Sequence, residues 1–211
     1  MRFLRGLLIV VLLAFQGALT AIAQGGGRFD ERHLTITGIT IGESSLEDVR
    51  FKFGPSENRR CPNREGQPDW ICYSINDPNA RLIFRSGPLG GWHTVDGYRI
   101  VIESAGPSCF RDCPRVKPGS LAVVETGGGL RLGLGREQVQ KLLGSADRRT
   151  TSELRYSYES RRRMTEAEIQ STEKTFGSKV EDPFFDVLDT ITIRLRRNRV
   201  VDIAVQRTVS R

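Results

Sequence analysis

The chain has 211 residues, 38% of them hydrophobic and 27% charged, with a formal net charge of +7. That apolar content excludes a disordered or collagen-like chain, and the length suits one or two compact domains. The basic residues are spread along the chain rather than blocked, so no nucleic acid is expected as a partner.

Arg2 and Arg5 open the chain, Gly6 to Phe15 is a short apolar stretch, and Ala21-Ile22-Ala23 meets the small-x-small rule for signal cleavage. Residues 1–23 are therefore expected to be a secretory signal peptide, and residues 24–32, with Gly25-Gly26-Gly27, a flexible mature N-terminus. Gln16, Gly17 and Thr20 interrupt the apolar run, which is too short to span a membrane, so no stable insertion is expected after cleavage. Losing Arg2 and Arg5 lowers the formal charge by two, from +7 to +5. The expected location is periplasmic or secreted.

Two segments then share a pattern. Ile41-Gly42-Glu43-Ser44-Ser45-Leu46-Glu47-Asp48-Val49 runs on to Phe53-Gly54-Pro55, and Leu132-Gly133-Leu134-Gly135-Arg136-Glu137-Gln138-Val139 runs on to Leu143-Gly144-Ser145. Each reads apolar residue, Gly, polar start, Val, apolar residues, Gly, and self-similarity of this kind predicts a duplicated unit. The first unit, residues 33–104, is expected to open with a half-buried strand, Leu34 to Thr37, and a short helix started by a Ser44/Glu47 capping box. Gly54 and Gly144 suit the left-handed residue that ends a helix. Strands follow at Trp70 to Ser74, Arg81 to Arg85 and Tyr98 to Ser104.

Residues 105–120, with three prolines and no periodicity, read as a linker. The second unit, 121–211, opens at Leu121 to Val124 and continues with strands at Leu154 to Ser160, Val187 to Leu195 and Val200 to Val205. The last two form a hairpin around Arg196-Arg197-Asn198-Arg199, with Ile191, Ile193, Val201, Ile203 and Val205 on one apolar face. An insertion, 161–185, carries a polar helix capped at Thr165 and ending near Gly177. The fold class expected is α+β, as two tandem units, each a short helix packed on a small antiparallel sheet.

All four cysteines, Cys61, Cys72, Cys109 and Cys113, fall in the exported part, where disulfides persist. Four cysteines allow three pairings. Proximity favours Cys61–Cys72 and Cys109–Cys113, and neither spacing suits zinc.

Gly42, Val49, Gly54, Cys61 and Cys72, with Gly133, Val139 and Gly144 in the second copy, give the chain a resemblance to a family. The duplicated Gly–Val–Gly helix followed by strands resembles the β-lactamase-inhibitory-protein fold, and its half-unit is similar to small outer-membrane lipoproteins of the SmpA/OmlA (BamE) type. The resemblance implies binding of another protein, inhibitor-like in the first case and envelope assembly or maintenance in the second. Two departures stand out: Glu43-Ser44 replaces the family's usual Met-Thr, and the lipid-attachment Cys is absent.

Catalytic chemistry finds little to use. His33 and His93 are the only histidines. His33 is expected at a strand edge in solvent, and His93, within reach of Asp96, is the one candidate for an enzymatic site. No cofactor or metal is expected. Strand alternation makes a sharper statement: if Leu82, Phe84, Ile100, Ile102, Ile191 and Ile193 face the helices, then Arg81, Arg85, Arg99, Arg155 and Arg194 share the opposite face. Arginine suits planar recognition of carboxylates. With Trp92 and His93 in a bordering glycine-rich loop, these residues make a candidate binding surface for an acidic extracytoplasmic protein.

Overall fold

Local sequence sets the helices. In the computed structural model, which describes residues 29–59, 69–75, 79–87, 93–102, 104, 110, 112–119 and 124–210, helix α1 spans Leu46–Phe53. Its cap lies one residue later than the Ser44/Glu47 box expected: Ser45 Oγ accepts from the Asp48 N–H, and Asp48 accepts from the Ser45 N–H at 2.8 Å. Gly54, at φ +103°, ends it, and Val49 and Phe53 are buried. Helix α2, Arg136–Leu143, begins at Gly135, whose N–H is answered by Gln138 at 2.8 Å, and ends at Gly144 with φ +80°. Helix α3, Glu166–Phe176, starts at the expected Thr165 cap and stops at the left-handed Gly177. None of its residues is buried, so it caps the assembly without contributing to the core.

The strands correct the tandem picture. A two-stranded hairpin, β1 (Thr35–Ile36) and β2 (Ile39–Thr40), is followed by β3 (Asp69–Ile75), β4 (Ala80–Ser86) and β5 (Gly97–Ile102). After α2 come β6 (Arg148–Arg149), β7 (Glu153–Arg163), β8 (Phe184–Arg196) and β9 (Arg199–Ser210). These are not two separate helix-on-sheet units. Strand β5 pairs antiparallel with β9, so the order is β3-β4-β5-β9-β8-β7-β6 in one seven-stranded sheet. A three-stranded sheet leaves a row of unpaired N–H and C=O groups at each edge, and joining β5 to β9 satisfies both inner rows at once. The same pairing brings Ile100 against Ile203 and Tyr98 against Val205. One apolar cluster therefore runs from Ile36 and Ile39 through Phe53 and Phe84 to Val139, Leu154 and Ile191. The repeated sequence survives as two similar glycine-bounded helices.

Three smaller corrections follow. Leu34 belongs to a 3-10 turn, Glu31–Leu34, and the strand expected there is reduced to Thr35–Ile36. The β8–β9 hairpin turns at Arg197 and Asn198, both at positive φ as a tight primed turn requires, and a bulge opposite Arg194/Leu195 leaves Val201 half-exposed. Val200 takes its place in the core. Neither neighbour-to-neighbour pairing of the cysteines occurs: Cys72 in β3 is bridged to Cys113, across a separation of 41 residues. A β-strand projects Cys72 away from the helices; Phe110 packs on that face, and the chain after Cys113 pairs along the outer edge of β3, where Ser74 N–H donates to Pro114 C=O and Val116 N–H donates to Ser74 C=O. The described part of the 105–120 segment thus covers β3 with Phe110 and Cys113 and closes its outer edge with residues 114–116. Cys61, Cys109, Trp92 and residues 1–28 lie outside the described residues.

Candidate functional site

The two faces of the sheet differ. Helices α1 and α2 and the N-terminal hairpin cover one. On the other, a second apolar cluster of Cys72, Ile83, Val101 and Phe110, edged by Trp70 and Cys113, covers the β3–β4–β5 end. Toward β9, β8 and β7 the face is uncovered, and Ala204, Gln206, Thr190, Thr192 and Ser157 are all half-exposed.

Cross-strand register places the arginines. Ile83, Arg99, Ala204, Thr192, Arg155 and Arg148 are successive partners across six strands. The row beside it reads Arg81, Val101, Asp202, Arg194, Glu153, and the row on the other side reads Arg85, Gly97, Gln206, Thr190, Ser157. Because directly opposed residues share a face, all five arginines named from sequence stand on the same one. Small side chains form the floor between Arg85 and Arg99 on one side and Arg155, Arg148 and Arg194 on the other. Arg148 was missed because its two-residue strand is too short to show alternation.

The arginines are not equivalent. Arg81, expected outside, is only 5% exposed, buried at the covered β3–β4–β5 end of the sheet. Arg85 donates to Asp96 from Nε at 2.5 Å and from Nη2 at 3.2 Å, and lies over the Trp70 ring. Arg99 donates from Nε to Asp202 at 2.8 Å and from Nη2 to its other oxygen. Asp202 is buried and also lies 3.8 Å from Arg194, which reaches Glu153 at 3.7 Å. Arg155 and Arg148 are exposed and have no carboxylate partner among the described residues.

The histidines exchange roles. His93 is exposed, and its backbone C=O accepts from the Leu46 N–H. The Asp96 carboxylate that was to orient it is held instead by Arg85 and by the Gly87 N–H at 2.9 Å. His33, expected in solvent, is buried: its Nδ1 meets Thr126 Oγ1 at 2.9 Å. Its ring lies so close to Gly128 that an added Cβ would sit 2.2 Å from His33 Cε1. Burial holds the imidazole below its ordinary pKa, opposed by Asp30. Burial likewise pushes Tyr98, whose hydroxyl donates to His33 C=O, well above the ordinary phenol.

A second concavity, of about 600 Å³, lies where the helix-bearing face meets α3 and is lined by Gly42, Thr94, Arg162, Glu168, Phe185 and Arg207. Its charges are answered internally. Arg207 donates twice to the buried Asp189, both at 2.8 Å, and Arg162 donates twice to Glu168 at 3.0 and 2.7 Å. Hydrogen bonding from Arg162 lowers the Glu168 carboxyl to about 2. No group of three or more His, Cys, Asp or Glu side chains able to hold a metal occurs among the described residues, and no described helix is long and apolar enough to cross a membrane.

Comparison with protein-family models, with curated proteins and with solved structures finds no match to this chain.

Proposed function

We propose that this protein is an exported, non-catalytic binding module that presents the uncovered face of its sheet to an acidic protein. The observation that carries this reading is the convergence of Arg85, Arg99, Arg155, Arg194 and Arg148 on one face, over a floor of small side chains. Ion pairs hold Arg85 and Arg99 in place, which lowers the ordering cost of a contact there. Arg155 and Arg148 retain unanswered charge, the property that steers an acidic partner during encounter. The commitment of Asp96 to Arg85 and Gly87 supports a binding rather than a catalytic role for the His93 loop.

Crosslinking in the native envelope, followed by identification of the captured protein, tests the proposal. The expected result is a stoichiometric partner with an acidic surface. Its association should slow as salt rises, because exposed charges are screened over about 8–10 Å at physiological ionic strength. Arg155→Glu should slow association further without unfolding the protein, since Arg155 is exposed. An absent partner, or association indifferent to salt, refutes the reading.

A further inference from the structure

We propose that Arg148 and Arg155 form a two-guanidinium clamp for paired carboxylates on an acidic protein segment; this deepens the function proposed above and rests on it. The two residues are direct cross-strand partners between β6 and β7. Opposed residues have Cβ atoms about 5 Å apart, and like charges placed so are destabilising. Both are exposed, and neither has a carboxylate partner among the described residues. The acidic residues next to them in the chain are turned elsewhere: Asp147 accepts from the Ser157 N–H at 2.5 Å, and Glu153 faces Arg194.

Like-charged Arg196 and Arg199 also oppose each other, but at the β8–β9 turn, where Arg199 donates to Gly133 C=O; Arg148 and Arg155 are the unanswered pair at the sheet's edge strand. Arg85 and Arg99 show the local solution, a carboxylate accepting from two guanidinium nitrogens. The Arg148–Arg155 pair has the donors for two such contacts and lacks the carboxylates, so the partner supplies them.

Protein carboxylates fit this face better than a nucleic-acid backbone does. The floor of Thr190, Thr192 and Ala204 offers no aromatic platform on which bases could stack, whereas a bidentate guanidinium fork needs only a carboxylate. An acidic segment needs only short side chains beneath it. From β7 across β8 and β9 to β5 is three strand spacings, about 14 Å, enough for one polypeptide segment.

Two measurements test the clamp. In the first, binding of a dye-labelled hexaglutamate peptide to the full mature protein is followed at low salt. Arg148→Ser/Arg155→Ser should weaken it at least about tenfold, as expected for loss of charge-assisted hydrogen bonds. Arg163→Ser, an exposed arginine eight residues along β7 from Arg155, should leave it unchanged. In the second, Arg148→Ser or Arg155→Ser alone should raise the melting temperature at low salt by about 2 °C, and high salt should abolish the gain. Lower melting of both single variants would show that the pair is not repulsive and would overturn the clamp. If hexaglutamate binds wild type and double variant alike, and the captured envelope partner still depends on salt, the clamp is wrong while the binding reading stands. If wild type binds neither hexaglutamate nor any envelope partner, both fall. Equal or tighter binding of a DNA oligonucleotide overturns the choice of carboxylates.

Discussion

Asp202→Asn isolates the ion pair that joins the two halves of the sheet. Asp202 sits on β9 directly opposite Val101 of β5, and its carboxylate accepts from Nε of Arg99 at 2.8 Å and from Nη2. The Asp202 side chain is 5% exposed and the Arg99 side chain 21%. The asparagine keeps the shape but removes the charge and one acceptor, leaving Arg99 partly buried without a counter-ion. Breaking a fully buried pair by removing one member costs about 3–5 kcal/mol. The residual exposure of Arg99 lets water recover part of that, so the expected loss is about 2–3 kcal/mol. Urea unfolding should show it as a lower midpoint with unchanged slope, and the melting temperature should fall by about 5–10 °C. The double replacement Arg99→Met/Asp202→Leu should return to within about 1 kcal/mol of wild type, because removing both charges also removes both desolvation costs. A loss below about 1 kcal/mol for Asp202→Asn, or a double variant as unstable as the two single losses added, would refute the argument.

Peptide mapping of the oxidised protein should recover Cys72 joined to Cys113; a Cys61–Cys72 fragment would contradict the fold. Replacing Cys72 and Cys113 by alanine should cost about 4 kcal/mol by loop entropy for that separation. His33, its pKa lowered by burial, contributes stability that is complete above the unfolded imidazole value near 6.5 and lost as pH falls below it. Melting temperatures between pH 7.5 and 5.5 should show that slope, and His33→Gln should flatten it. Glu168, lowered to about 2 chiefly by Arg162, contributes support to α3 that is present above about 4.5 and lost as pH falls toward 2. Amide exchange in α3 should accelerate over that range, and Glu168→Gln should remove the pH dependence.

The local parts of the fold could be read from the chain because their causes are local. Gly54, Gly144 and Gly177 end helices where glycine's freedom at positive φ is needed, and Thr165 caps α3 through a partner three residues away. Strand alternation put the arginines on one face for the same reason: a strand carries its own parity. What failed was everything decided by pairing at a distance. The β5–β9 ladder joins residues about a hundred positions apart, and Cys72 reaches Cys113 because the intervening chain folds back over β3. Nothing near Cys72 announces that return. Proximity in sequence, the only guide to the pairing, chose a different neighbour.

The same distinction separates the exposed from the answered arginines. Parity gives a side chain's face but not its partner, and the partners of Arg99 and Arg85 are Asp202, in another part of the chain, and Asp96, across a loop. Asp202 did leave a trace, as a lone carboxylate in the otherwise apolar stretch from Val200 to Val205. Such a residue is tolerated in a central strand only when a cation meets it, so an acidic residue in β9 and an excess of arginines in β4 and β5 were two views of one arrangement. Applied to β6, the same test gives the opposite result. Arg148 and Arg155 are as basic and as regularly placed, yet no described carboxylate meets them, and the clamp proposed above assigns their counter-charges to a partner.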